Sequence, residues 1–202
     1  MHKNLYNLLL TISLISLGLP VHAGDPAAGK EKAQTCAACH GPNGNSAVPA
    51  WPRLAGQHAK YLEKQLQDFQ SGRRENVQMS PMAAPLSAED IADLASYFAQ
   101  QKPQIGSANP DLVEAGERLY RAGNPKSGVP ACMACHGPDG AGNPAANYPA
   151  LSGQHADYTA ATLKAYKDES RSNDANSVMR SVAARLSNAE IEALAGYIQG
   201  LH

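Results

Sequence analysis

Cys36-Ala37-Ala38-Cys39-His40-Gly41-Pro42 returns as Cys132-Met133-Ala134-Cys135-His136-Gly137-Pro138, and this recurrence decides how the chain is organised. The likeness extends outward from both motifs. Leu54-Ala55-Gly56-Gln57-His58-Ala59-Lys60-Tyr61 returns as Leu151-Ser152-Gly153-Gln154-His155-Ala156-Asp157-Tyr158. Leu86-Ser87 with Ile91, Leu94, Ala95 and Tyr97 returns as Leu186-Ser187 with Ile191, Leu194, Ala195 and Tyr197. The offset drifts from 96 to 97 to 100 residues while the order of blocks is kept. A duplicated domain with small insertions leaves that trace. The 202 residues therefore read as two small domains, 24–105 and 106–202. They are divided by Lys102 to Pro110, which holds Pro, Gly and Ser and no apolar periodicity.

Residues 1–23 read as a targeting segment. Lys3 stands in a short polar start, Leu8 to Leu19 is an apolar run, and Val21-His22-Ala23 offers a small-x-small cleavage site. The run is too short for a comfortable membrane span. Cleavage after Ala23 would leave 16 basic and 18 acidic residues, close to neutral. The halves carry 8 basic against 8 acidic and 8 against 10, so no basic face points to nucleic acid and no strong charge steers a partner. Hydrophobic residues make up 43% but aromatics only 5%. Two small domains so poor in aromatics would bury too little apolar surface unaided, and a large buried cofactor would relieve the shortage.

The pattern within each half is all-α. Asp25-Pro26 and Asn109-Pro110 each pair an N-cap residue with proline at the first helical position. A second helix begins near His58 and carries Tyr61, Leu62, Leu66 and Phe69 at helical spacing. The closing helices start at Ser87, with Asp90 three residues on, and at Ser187, with Glu190 completing a capping box. Long Gly- and Pro-rich loops, such as 41–52 and 137–149, need something to pack against.

The chemistry lies in Cys-x-x-Cys-His. Two thiols at this spacing can add across the two vinyl groups of a haem, and the adjacent imidazole then falls beneath the iron. A thioredoxin-like pair would need a preceding strand, and the pattern before each motif is helical. A structural zinc site would need four ligands from one module, whereas the two pairs sit 96 residues apart. The sequence thus assigns Cys36, Cys39, Cys132 and Cys135 to two covalent haem c groups, with His40 and His136 as proximal iron ligands. A thioether is the distal ligand that raises the potential of an electron-transfer haem. Met79 and Met179 each lie seven residues before the Leu-Ser that opens the closing helix, while Met82 aligns with Val182, which cannot ligate iron. The repeat therefore favours Met79 and Met179 and leaves Met82 as an apolar filler. His58 and His155 are aligned too, and stand as rival distal ligands or as polar residues opening the second helix.

The duplicated motif, the Leu-x-Gly-Gln-His blocks and the closing Ala195-Gly196-Tyr197-Ile198-Gln199-Gly200-Leu201-His202 resemble the dihaem cytochrome c4 family over essentially the whole mature chain. That resemblance implies two tandem class I cytochrome c-like domains, each with an N-terminal helix crossing a C-terminal one. It implies that Pro52 and Pro149 supply carbonyls orienting the proximal histidines, that Gly29 and Gly116 permit the close crossing, and that Tyr97 and Tyr197 pack near it. The second domain departs in spacing, with nine more residues between Gly116 and Cys132 than between Gly29 and Cys36.

By the same resemblance the protein is a periplasmic electron carrier, not an enzyme, with no small-molecule substrate. It would work between a quinol-oxidising complex and a terminal oxidase, or with other cytochromes; some members associate loosely with the membrane. Three rivals differ in a checkable way. A dihaem subunit of a flavocytochrome c-type dehydrogenase would have a flavoprotein partner. A dihaem peroxidase would keep one distal site open. A haem-based sensor would need an output module.

Overall fold

A computed structural model describes residues 24–202. The first half holds α1 (Pro26–Lys32), α2 (Gln34–His40), α3 (Ala59–Gln70), α4 (Met79–Ala83) and α5 (Ala88–Ala99). The second repeats the series as α6 (Pro110–Ala122), α7 (Met133–His136), α8 (Ala156–Lys167), α9 (Val178–Ala183) and α10 (Asn188–Gln199). There is no β-strand among the described residues; Asn124–Val129 and Asn143–Tyr148 form isolated bridges in loops.

Side chains explain where the helices start. The Asp25 carboxylate accepts from Ala27 N–H at 2.8 Å, and the Asn109 side chain accepts from Asp111 N–H at 3.0 Å, each ahead of a proline that has no N–H to satisfy. Ser87 with Asp90 and Ser187 with Glu190 form complete capping boxes, so Asp serves in the first as Glu does in the second. The helix before the first haem motif is interrupted once, at Ala33, which caps α1 and opens α2.

In each half the first and last helices cross, α1 on α5 and α6 on α10, and the middle helix packs on the last, α3 on α5 and α8 on α10. Glycine sets the distance. A Cβ on Gly29 would lie 2.1 Å from the Asp93 carbonyl oxygen, and one on Gly116 would lie 2.3 Å from that of Ala193. The cores lie under these crossings. Ala33, Leu62, Leu94, Ala95, Tyr97 and Phe98 make the first, and the second is larger, built on Leu119, Tyr120, Leu163, Ile191, Leu194 and Ile198. Met82 is 42% exposed, so it fills no core. It sits on α4, too short a helix to bury more than one face.

The halves meet in a polar seam with approximate two-fold symmetry. The Gln57 side chain bonds both backbone groups of Ala150, donating to its carbonyl at 3.0 Å and accepting from its N–H at 2.9 Å. Gln154 does the same to Arg53, both bonds at 2.9 Å. Gln57 and Arg53 are repeat equivalents of Gln154 and Ala150, so one clamp is built twice in opposite directions. Arg53 also donates to the carbonyls of Gln104 and Gly153, fastening the linker.

Candidate functional site

The two thiols and the imidazole of each motif ride on one short helix. Cys36, Cys39 and His40 lie on α2; Cys132 caps α7, which carries Cys135 and His136. Each helix ends at a glycine with positive φ, Gly41 at 78° and Gly137 at 80°, where an L side chain would be strained. The chain thus turns away directly after the histidine and loops back beneath it.

That loop delivers a proline carbonyl to each ring. Pro52 O lies 2.8 Å from His40 Nδ1 and Pro149 O lies 2.9 Å from His136 Nδ1. A carbonyl only accepts, so Nδ1 carries the hydrogen and Nε2 keeps its lone pair for a metal. Both rings are buried, and burial pushes their pKa down and keeps them neutral, as a ligand must be. Tyrosines brace the turns from the helices behind. Tyr97 donates to Pro42 O at 2.8 Å from α5, whereas in the second half Tyr120 donates to Gly137 O at 2.6 Å from α6. Tyr120 stands where α1 has Ala33, counted from the crossing glycines, and so takes over the role that Tyr97 has in the first half.

All four cysteines are free thiols. Cys36 and Cys132 are half-buried, Cys39 and Cys135 exposed. Burial raises the pKa of Cys36 and pushes Cys132 up to about 11. A thiol–disulfide catalyst needs the reverse, a lowered thiol pKa. No group of three His, Cys, Asp or Glu side chains gathers as a metal cage among the described residues. Two unbridged thiols one turn apart, followed by a buried imidazole with its Nε2 available, are the donor set that haem c requires, so the residues present fit that group.

Met79 opens α4, its N–H held by the Asn76 side chain at 2.9 Å, and is half-buried. Met179 on α9 packs, with Cys132, against the second core. His155 is engaged elsewhere: its Nε2 lies 2.8 Å from Ser46 O across the seam. His58 Nε2 is buried with no hydrogen-bond partner among the described residues. Both histidines stand at the N-cap of their helices, but neither side chain makes a capping bond; the side chains of Gln57 and Gln154 accept the N–H groups of His58 and His155 at 3.0 Å. Sequence reasoning passed over both glutamines, because a polar residue before a helix reads as ordinary surface. Their exact recurrence in the repeat was the available signal.

Two helical domains, each presenting this thiol–imidazole set beneath crossed terminal helices, define a tandem c-type cytochrome. The Cytochrome c family model matches residues 26–102 and 113–202. The cytochrome c4 of Azotobacter vinelandii is 51% identical over the full length of both chains. The crystal structure of reduced recombinant cytochrome c4 from Pseudomonas stutzeri superposes with a TM-score of 0.87 at 48% identity, covering 89% of this chain and all of that one. A protein of Thiomonas intermedia named "Thiosulfate dehydrogenase electron acceptor" is 44% identical over 85% of this chain and 81% of its own. The chain belongs to the cytochrome c4 family: it is a dihaem electron-transfer protein, a carrier rather than an enzyme, with one haem c for each domain. No helix among the described residues is long and apolar enough to cross a membrane.

Proposed function

We propose that the chain carries single electrons on the outer side of a bacterial inner membrane, from a quinol-oxidising complex to a terminal oxidase. In this reading residues 1–23 are removed on export to the periplasm, and the domains run over 24–105 and 106–202. Haem c supplies the one-electron iron couple. Cys36 and Cys39 hold one haem through thioether bonds and Cys132 and Cys135 the other. His40 and His136 would ligate iron through Nε2, and Met79 and Met179 would each supply a second ligand to it. Pro52 and Pro149 take the Nδ1 hydrogens, which fixes tautomer and ring orientation and raises ligand basicity. With a methionine thioether on each iron, both sites would be closed, which suits transfer and not catalysis.

One observation carries the assignment: the buried imidazole–proline pair occurs twice, at 2.8 and 2.9 Å, each beside an unbridged thiol pair. Optical spectra of the oxidised and reduced protein test it, with carbon monoxide added to the reduced form. Two low-spin haems, a weak methionine–iron band in the oxidised state and no response to carbon monoxide are expected. A high-spin haem, or one that binds carbon monoxide readily, would overturn the ligand assignment in that domain and move the reading toward catalysis or sensing.

A second donor is supported by the 44% identity to the Thiomonas intermedia electron acceptor. Stopped-flow reduction separates the two. Fast reduction by a thiosulfate dehydrogenase supplied with thiosulfate, and none by a quinol-oxidising complex, would replace the first reading with the second.

A further inference from the structure

Met79 and Met179 stand in equivalent places, but the segments that lead to them are built differently. Met79 lies five residues after Arg74, and Met179 lies eight after the counterpart Arg171, so the second half has three extra residues here. Asp174 lies in this longer stretch, and Arg180 stands where the first half has Ser80. In the first half the approach to the methionine is local and neutral. Asn76 Oδ1 accepts the N–H groups of Gln78 and Met79, both at 2.9 Å, and Ser80 Oγ accepts that of Asn76 at 3.2 Å. Val77, two residues before Met79, is 94% exposed and touches no anchor.

In the second half the approach is strained and clasped. Among the described residues, all four non-glycine residues of positive φ lie in this half, and two of them, Asn176 at 54° and Ser177 at 57°, adjoin directly ahead of α9. A left-handed pair of L residues costs free energy and persists only where its surroundings enforce it. Asp174 and Arg180 do so. Arg180 Nε donates to Asp174 Oδ1 at 2.8 Å, the Arg180 N–H donates to Asp174 Oδ2 at 3.0 Å, and Arg180 Nη2 donates to Ser177 Oγ at 2.7 Å. The ion pair thus closes a loop over 174–180 that contains both the left-handed pair and Met179. Its side chains are only 4% and 24% exposed, and shielding from water strengthens a charge-assisted bond. Glu169 adds a looser contact to Arg180 Nη1 at 3.4 Å. Inside this clasp Met179 packs, with Cys132 and Val182, against the second core.

We propose that Asp174 and Arg180 are positioning residues for the second haem. They hold Met179 against displacement from iron, so the first haem, whose Met79 has no such clasp, is the one that exchanges its distal ligand for a small nitrogen base. The proposal rests on the reading of Met79 and Met179 as distal ligands. A methionine can leave iron only if the backbone that carries it moves. Movement of the second segment must break a shielded ion pair, whereas movement of the first breaks only neutral hydrogen bonds near the surface. A preorganised ligand is harder to replace for that reason.

The experiment titrates the oxidised, haem-loaded protein with imidazole. Proton NMR gives one shifted methyl signal for each methionine on iron, assigned to its domain with M79A and M179A. In the parent, half-displacement of Met179 is expected to need about tenfold more imidazole than that of Met79, the equivalent of one charge-assisted hydrogen bond. D174N and R180Q should bring the second threshold down to the first and leave the first where it was. R180K, which can keep the ion pair but not the fork to Ser177, should fall between.

A parent without two methionine signals would overturn the ligand reading and the proposal with it. Two signals with equal thresholds would overturn the proposal alone. So would D174N and R180Q that unfold at lower denaturant yet keep both thresholds, since a merely structural pair would act in that way. Should these variants not fold, the parent titration decides by itself: Met179 displaced before Met79, or together with it, refutes the clasp.

Discussion

At the scale of single residues, what matters is which atom of a side chain is left over once its neighbours are satisfied. His40 and His136 spend Nδ1 on a proline carbonyl and keep Nε2; His155 spends Nε2 on Ser46. Sequence spacing marked His40 and His136 because a thiol pair stands beside each, but it could not show what engages His155, whose partner lies 109 residues away. The methionines separate in the same manner. Met179 packs on the second core beside Cys132 while Met82 is exposed. M179A is therefore expected to leave a second-domain haem that turns high-spin and binds carbon monoxide, and M82A to leave the spectrum unchanged; difference spectra of the reduced proteins check both. Asp93 gives a pH prediction. Its carboxylate is 2% exposed and is bound by the Lys32 ammonium at 2.6 Å and by the Asp25 N–H at 2.7 Å, which together hold its pKa below the ordinary 3.8. A depressed carboxylate pKa stabilises the fold fully above the unfolded-state value and loses that contribution as pH falls through the folded value. D93N is expected to be less stable than the parent at pH 7 and to converge with it as pH falls below 3.8; urea unfolding from pH 7 downward, with convergence absent, would refute the role.

At the scale of elements, helix starts were legible and helix crossings only partly so. Asp25-Pro26, Asn109-Pro110, Ser87 and Ser187 announce themselves because a cap acts within three residues of its own position, and the helices begin there. The short α4 and α9, of 5 and 6 residues, hide because so few positions show no period. A crossing is a contact between distant segments, so Gly29 and Gly116 stood out through resemblance rather than through any local pattern. The structure supplies the physical reason, which is testable. In G116A the new methyl would sit 2.3 Å from the Ala193 carbonyl oxygen and 2.5 Å from Tyr197 Cβ, where only movement of α6 away from α10 gives relief. Overpacking of this kind costs about 1–3 kcal/mol. G72A meets nothing within 4 Å and carries only the strain of a φ of 71°, about 1 kcal/mol. Denaturant unfolding followed by helical circular dichroism should rank G116A below G72A, and the opposite order would mean the crossing can open freely.

At the scale of the whole molecule, duplication supplied two domains, but the seam makes them one body. Gln57, Gln154, Arg74 and Arg171 look in the sequence like ordinary polar residues at helix starts and in loops, and Tyr61 and Tyr158 like part of a helix's own spacing. Their partners lie about a hundred residues away, and no period or spacing announces a polar contact of that kind. Each glutamine amide gives both its groups to one backbone residue, as a strand partner would, so truncating it strands an N–H and a carbonyl in the half-buried seam. Such a loss costs about 1–3 kcal/mol for each unsatisfied group. Because the clamps are reciprocal and act on the same interface, the second truncation removes what the first had left holding the halves together. Calorimetry of the haem-loaded protein should therefore show one cooperative transition for the parent, one lowered transition for Q57A or Q154A, and two resolved transitions for Q57A/Q154A. The lower of the two belongs to the first half, whose core is the smaller. A double variant that still unfolds in one step would place the coupling in other bonds that cross the seam instead: Arg53 to Gly153, His155 with Ser46, Arg74 to Tyr158, Arg171 to Tyr61, and those of Asn173 with Lys64, Gln65 and Asp68.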